Sequence, residues 1–128
     1  MSLPLIKTID LLPASRNRRD RMHWAERRRE LEDWKLMIPN CPAAVRQKKG
    51  DPTRTVEIVF RKSRGPLSDA DNRYARCKVP LDALVARGWI CDDSPKHIDL
   101  LVREEVTGER AATLIAVSQA EAGEKQAA

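Results

Sequence analysis

Hydrophobic side chains recur at helical spacing early in the chain. Trp24, Leu31, Trp34 and Ile38 are separated by seven, three and four residues, so that they share one face of a helix. This pattern predicts a first helix over about residues 22–38, with a buried stripe and a basic outer face. A proline directly after this segment is expected to end the helix.

A second helical region is predicted to begin at Asp71 or Asn72 and to end at Gly88. Glycine permits the left-handed backbone that closes many helices. Pro80 lies inside the region. Because proline lacks an amide hydrogen and clashes with the preceding turn, we expect it to kink this helix or to divide it into two.

Alternation of apolar and polar residues predicts four strands. Their ranges are residues 3–12, 55–61, 96–106 and 112–117. A turn sequence over residues 107–109 leads us to expect that the last two strands form a hairpin. Residues 13–17 are predicted to be a polar loop, and residues 41–54 an exposed basic loop.

The predicted order of elements is β-α-β-α-β-β, which indicates an α+β fold with a small mixed sheet covered by helices. A chain of 128 residues has the length of one domain. We assign residues 1–118 to it and expect a flexible tail over residues 119–128. The sequence shows neither an apolar run of about 18 residues nor a signal-peptide pattern, so we expect a cytoplasmic protein without a membrane partner.

Cysteine and aromatic content argue against several classes of function. Cys41, Cys77 and Cys91 are scattered and include no closely spaced pair, so neither a disulfide framework nor a zinc site is expected. Aromatic residues make up only 4% of the chain. This argues against a protein that stacks single-stranded bases on several exposed rings.

Basic residues are concentrated in the first half of the chain. Residues 1–64 contain 16 Lys and Arg against 8 Asp and Glu, a net charge of +8, whereas residues 65–128 contain 8 against 11, a net charge of −3. The total of +5 and the pI near 9.4 favour binding to a polyanion such as DNA, although an unevenly charged solvated surface would look the same. The residues predicted to contact DNA are Arg18, Arg19, Arg27, Arg28, Lys48, Lys49, Arg61, Lys62, Arg64, Arg73 and Arg76.

Two acidic pairs in the second half, Asp69 with Asp71 and Asp92 with Asp93, indicate a metal site. Clustered carboxylates repel one another unless a hard cation lies between them, and Mg²⁺ binds carboxylate, water and phosphate oxygens. Each pair also has an ordinary interpretation. The first fits a helix cap together with Ser68, and the second fits a common turn sequence.

Between residues 68 and 94 the acidic pairs are separated by a lysine, a short apolar helix and a glycine stop. In order, these residues are Asp69, Asp71, Asn72, Lys78, Leu81, Asp82, Ala83, Leu84, Gly88, Trp89, Ile90, Asp92, Asp93 and Ser94. The run resembles the core of the RusA-type Holliday junction resolvases, which are common in prophages. The resemblance implies a homodimeric Mg²⁺-dependent endonuclease, without a small-molecule cofactor, that recognises four-way or branched DNA by its shape. Such enzymes nick opposing strands in recombination and repair.

The resemblance also implies roles for individual residues. The essential aspartates of the family correspond to Asp69, Asp71 and Asp93, which would bind Mg²⁺ or, alternatively, Mn²⁺. The family's important lysine corresponds to Lys78. In the best-known member this lysine follows the second aspartate by four residues, whereas the separation here is seven, so Arg76 is a second candidate for its role.

Three further polar residues are assigned to supporting or capping roles. Asn72 is expected to cap the second helix or to position a phosphate. Asp82 is expected to form an ion pair with Lys78, one helical turn away, or to orient the site. Asp92 is grouped with these two as a neighbour of Asp93.

The separation of Asp71 from Asp93 leaves the composition of the site open. A continuous helix over residues 72–87 would be about 24 Å long at ~1.5 Å per residue. A sharp break or a returning loop would bring the two residues together within one chain, whereas an antiparallel partner chain would complete each site between chains. Two other functions stay open: a non-catalytic DNA-binding phage protein, and a fork or flap nuclease of the same fold.

Overall fold

The computed structural model describes residues 3–119, which form four strands and four helices. In chain order these elements are β1 Leu5–Ile9, α1 Arg16–Arg21, α2 Trp24–Met37, β2 Arg54–Lys62, α3 Ala70–Arg76, α4 Lys78–Ala86, β3 Ile98–Val106 and β4 Ala112–Gln119. The fold is α+β with a mixed sheet, as predicted. The predicted order β-α-β-α-β-β is wrong in detail, because each helical region consists of two helices.

The first helical region begins earlier than predicted. The Ser15 side chain accepts a hydrogen bond from the backbone N–H of Arg18 at 3.3 Å, and this cap starts α1 inside the segment that we predicted to be a loop. The backbone is extended at Met22 and His23, which separates α1 from α2. The His23 ring then caps α2 by accepting the N–H of Ala25 at 3.2 Å.

The second helical region divides at Cys77, which confirms the expected effect of Pro80. Proline cannot donate to the carbonyl of Arg76, so the hydrogen-bond ladder is interrupted there. The region ends at Gly88, whose φ of +81° confirms the predicted left-handed backbone. Burial raises the pKa of the Cys77 thiol to about 12, so this side chain packs in the core as a neutral group.

The strand order in the sheet is β1-β4-β2-β3. β2 is parallel to β3 and antiparallel to β4, so the predicted hairpin between the last two strands is wrong. The inward side chains Val56, Ile58 and Phe60 of β2 are completely buried. A strand with such apolar side chains is most stable when both of its edges are paired. After β3 the chain therefore crosses β2, so that β4 pairs with the other edge of β2.

The helices cover one face of the sheet. Trp34 of α2 and Leu84 of α4 share a core with the inward side chains of β2. On the opposite face, Ile6 is 69% exposed and Leu101 is 51% exposed.

The segment before β2 is less exposed than predicted. Lys48 and Lys49 are exposed, but Cys41 and Gln47 are buried, and Arg54 is a buried residue at the start of β2. Of the predicted tail, Gln119 lies in β4, and residues 120–128 lie outside the described part of the chain. Within residues 3–119, no helix combines the length and the apolar character that crossing a membrane requires.

The end of α4 gives a test of the packing. A Cβ at Gly88 would lie 2.8 Å from Cγ of Arg46, whereas a Cβ at Gly108, with a nearly equal φ of +80°, would meet nothing within 4 Å. We expect Gly108→Ala to lower the free energy of unfolding by about 1 kcal/mol, through its positive φ alone. Gly88→Ala should cost about 2 kcal/mol, because overpacking is added.

Urea unfolding of both variants, and of Gly88→Ala combined with Arg46→Ala, measures these effects. The double variant should regain the free energy of unfolding that Gly88→Ala loses beyond the loss in Gly108→Ala. Equal losses at Gly88 and Gly108 would contradict the close packing of residue 88 against Arg46.

Candidate functional site

The first acidic pair lies at the start of α3. Asp69 is the N-cap, and its Oδ1 accepts the N–H of Asn72 at 2.8 Å. The capping interpretation is therefore confirmed, with Asp69 rather than Ser68 as the cap. Asn72 lies inside the helix, so the prediction that it caps the helix is wrong. Asp71 is exposed in the first turn, where the helix dipole favours a negative charge.

The second acidic pair lies in the connection between α4 and β3. Asp92 Oδ1 accepts the N–H of Asp93 at 2.8 Å, which gives Asp92 the turn-forming role of its ordinary interpretation. Both residues are exposed and line a groove of about 390 Å³. The other residues lining this groove are Leu31, Lys35, Lys78, Asp82, Val85 and Ala86.

Lys78 and Asp82 meet in this groove. Lys78 Nζ lies 3.3 Å from Asp82 Oδ1, which confirms the predicted ion pair across one helical turn. The Lys78 side chain is 56% exposed, and exposed pairs of this kind contribute only about 0.3–0.5 kcal/mol. Its ammonium can therefore exchange Asp82 for another anion at little cost.

Ser68, the residue before the first acidic pair, is held by three side chains. Its N–H donates to Glu104 Oε1 at 2.8 Å, and its carbonyl accepts from Arg73 Nη1 at 2.9 Å. Lys62 Nζ donates to its hydroxyl at 3.2 Å and forms an ion pair with Glu104 Oε1 at 2.7 Å. We call Lys62, Ser68, Arg73 and Glu104 the Ser68 brace.

Glu104 is ionised within the Ser68 brace. Burial alone would raise the pKa of its carboxyl, but hydrogen bonds from Lys62 and Ser68 outweigh that effect, and the pKa lies below its ordinary value of 4.5. Its side chain is completely buried. Oε2 is buried as well, without a hydrogen-bond partner among the described residues.

Two other buried polar side chains hold the segment that carries the second acidic pair. Gln47 accepts the N–H of Cys91 at 2.8 Å and donates to the carbonyl of His97 at 2.8 Å, so it holds both sides of this segment. Arg54 donates to the carbonyl of Trp89 at 2.8 Å. These contacts place the connection between α4 and β3 beside the first residues of β2 and β3.

The two acidic pairs are anchored at opposite ends of the parallel strands β2 and β3. The Ser68 brace uses Lys62, the last residue of β2, whereas Arg54 is its first residue. A strand of nine residues places these anchors about 26 Å apart at ~3.3 Å per residue. In the part of one chain that the structure describes, no three His, Cys, Asp or Glu side chains come together as a metal site.

The arginine-rich helix α1 lies beside α3, the helix that begins at the first acidic pair. Arg18 on α1 is exposed, and Arg19 is partly buried and lies 3.8 Å from a carboxylate oxygen of Glu30. Four other predicted DNA contacts are exposed as well. They are Arg28, Lys48, Lys49 and Arg64.

Several other predicted DNA contacts are engaged with protein groups. Lys62 and Arg73 belong to the Ser68 brace, and the Lys62 side chain is only 16% exposed. Arg27 donates to the carbonyl of Arg19, and Arg61 pairs with Glu109 at 3.2 Å. Arg76 is partly buried at the end of α3. We therefore expect the exposed arginine and lysine residues, rather than these engaged ones, to contact DNA phosphates.

Sequence reasoning missed the buried polar residues, although one signal was present. The inward stripe of β2 continues from Phe60 to Lys62, and that of β3 continues from Val102 to Glu104. Opposite charges at inward positions of two neighbouring strands indicate a buried ion pair. Gln47 and Arg54 have no comparable signal, because their partners are backbone groups distant in sequence.

No protein-family model and no curated protein matches this sequence. The resemblance to the RusA-type resolvases therefore depends on the motif residues between 68 and 94. The three cysteines are free, as expected, with Cys41 and Cys77 buried and Cys91 partly buried.

The lowered pKa of Glu104 predicts how stability depends on pH. Because the carboxylate form is favoured in the folded state, its contribution is present above pH 4.5 and is lost as the pH falls through the lowered pKa. Glu104→Gln should be less stable than wild type by about 2 kcal/mol at pH 7, the scale of a charge-assisted hydrogen bond. This difference should shrink below pH 4.5.

Urea unfolding of both proteins between pH 3 and pH 8 measures the difference. Glu105→Gln, the same change at the next residue on the exposed face of β3, is the matched control and should show little loss at any pH. A difference that stays constant or grows in acid would contradict a stabilised Glu104 carboxylate.

Proposed function

We propose that this protein is a Mg²⁺-dependent endonuclease that cuts branched DNA, with Asp69, Asp71 and Asp93 as metal ligands. The observation that carries the proposal is the position of the basic helix α1 next to the helix that begins at Asp69. The arginine-rich α1 lies beside α3, whose first turn carries exposed carboxylates. A phosphate backbone attracted by α1 would be brought against these carboxylates.

Carboxylates and phosphates repel each other, so their contact requires a cation between them. The side chains present fit Mg²⁺ in their chemistry. Asp71 and Asp93 are exposed, and in residues 3–119 no side-chain or backbone donor occupies their carboxylates. Asp69 uses Oδ1 for the cap and keeps its second oxygen for a ligand. A bound Mg²⁺ supplies Lewis acidity toward a phosphate oxygen and lowers the pKa of water.

The chain's own side chains would position the DNA and offset its charge. Arg18 on α1 would hold a phosphate beside α3. Lys78 lines the same groove as Asp93, and it can leave its weak pair with Asp82 to contact the phosphate that is cut. An ammonium there would stabilise the negative charge that develops in the transition state.

We further propose that two chains form each active site. Mg²⁺ ligands lie at ~2 Å from the ion, whereas within residues 3–119 no three acidic, histidine or cysteine side chains come together as a metal site. A two-fold partner would bring Asp93 of one chain beside Asp69 and Asp71 of the other. Such a dimer would carry two sites related by symmetry, which suits a junction with two strands to cut.

The separation of the acidic pairs also favours a second candidate function. A chain that acts alone with its carboxylates apart would bind DNA through its basic residues without cutting it. The two functions differ in one observable. The nuclease requires Mg²⁺ for cleavage, whereas the binding protein holds a junction equally well with and without Mg²⁺ and leaves it intact.

Cleavage of synthetic DNA tests the proposed function. Wild-type protein should nick a four-way junction in Mg²⁺ but not in EDTA, and should cut a linear duplex of the same sequence far more slowly. Asp71→Asn and Asp93→Asn should each reduce cleavage by at least ~100-fold, the scale of losing one electrostatic group at a transition state. Both should still bind the junction.

The control is Asp10→Asn, the same change at an exposed residue after β1. It should cut at the wild-type rate. Wild-type activity in both site variants would refute the metal ligands, and binding without cleavage by the wild-type protein would support the non-catalytic alternative. Preferential cutting of a fork or flap over the junction would change the substrate but keep the site.

A further inference from the structure

We propose that Glu104 is a positioning residue of the nuclease site. Through the Ser68 brace it would set the start of α3, and with it the carboxylates of Asp69 and Asp71. This inference rests on the proposed function, because it assigns those carboxylates to the metal. It adds a residue outside the motif that carries the family resemblance.

The first argument is that Ser68 has no polar group left unpaired. Its N–H, carbonyl and hydroxyl are bound by Glu104, Arg73 and Lys62 at 2.8, 2.9 and 3.2 Å. A residue held at all three groups has little freedom in its backbone angles. The next residue is Asp69, whose own backbone and carboxylate begin the helix.

The second argument is that α3 carries no buried side chain of its own to fix its start. None of its seven residues is buried, so hydrophobic packing does not fix its N-terminal turn. The buried residue that follows it, Cys77, anchors the opposite end. The direction of the Asp69 and Asp71 side chains therefore depends on polar contacts, and the Ser68 brace supplies them.

The third argument is energetic. The Glu104 side chain is completely buried, and its Oε2 has no hydrogen-bond partner among the described residues. Burying an ion pair gains little over packing apolar residues of similar volume, and an unpaired oxygen adds a cost. Stability alone gives no reason for charges at these inward positions of β2 and β3. A requirement that Ser68 be held in a fixed position does give such a reason.

A brace that only stabilises the fold and a brace that positions the metal ligands predict different results. The first lowers stability in Glu104→Gln but leaves the folded variant with normal affinity for Mg²⁺. The second weakens Mg²⁺ binding in molecules that are fully folded. The experiment must therefore be done well below the unfolding temperature, with folding checked by circular dichroism.

The test follows Mg²⁺ binding to the protein without DNA through the backbone amide signals of residues 69–72 in NMR spectra. In Glu104→Gln the Mg²⁺ concentration at half-saturation should rise by about 10- to 100-fold, the range for residues that orient metal ligands. Half-maximal cleavage should shift in parallel. Junction affinity in EDTA should stay at the wild-type value, and the Asn72 amide should exchange with solvent faster.

Two further variants complete the design. Glu105→Gln should match wild type in every measurement. Ser68→Ala removes one bond of the brace without uncovering a charge, and it should give a smaller shift in the same direction even if Glu104→Gln does not fold.

Unchanged Mg²⁺ affinity in the folded variants, with wild type binding Mg²⁺ normally, would overturn the positioning role alone. A wild-type protein that neither binds Mg²⁺ at residues 69–72 nor cuts the junction would overturn the proposed function together with this inference.

Discussion

The ion pair between Lys62 and Glu104 connects the sheet to the segment that begins α3. The inward positions of β2 and β3 are apolar up to Phe60 and Val102, and at the next inward position of each strand Lys62 and Glu104 meet at 2.7 Å. A buried charge requires a partner, so neither side chain can be replaced alone without a large cost. Both also bind Ser68, and the first acidic pair is therefore located by a contact that forms only when β2 and β3 are paired.

Local signals in the sequence predicted much of the fold. Period-two alternation located the buried strands, and Pro80 and Gly88 correctly marked the break and the end of the second helical region. The hairpin prediction failed because turn chemistry is local, whereas the insertion of β2 between β3 and β4 is decided by burial across the sheet. Gln47 and Arg54 were missed for the same reason, since their partners are distant in sequence.

The candidate site follows from this architecture. Buried polar side chains hold each acidic pair, the first through Glu104 and the second through Gln47, at opposite ends of the same two strands. The motif residues indicated a shared metal, but their spacing left open whether one chain or two would supply it. Within residues 3–119 no three acidic, histidine or cysteine side chains come together as a metal site, and the proposed shared site would supply the third ligand from a second chain.

Mixing two inactive variants tests this central claim most directly. In a dimer of one Asp71→Asn chain and one Asp93→Asn chain, a site shared between chains loses both ligands on one side and keeps all of them on the other. An equal mixture that exchanges subunits should nick one strand of a four-way junction with about a quarter of the wild-type number of sites, because half of the dimers are mixed and each holds one intact site. Neither variant alone should cut. Subunit exchange demonstrated by affinity tags, without any nicking, would contradict the shared site.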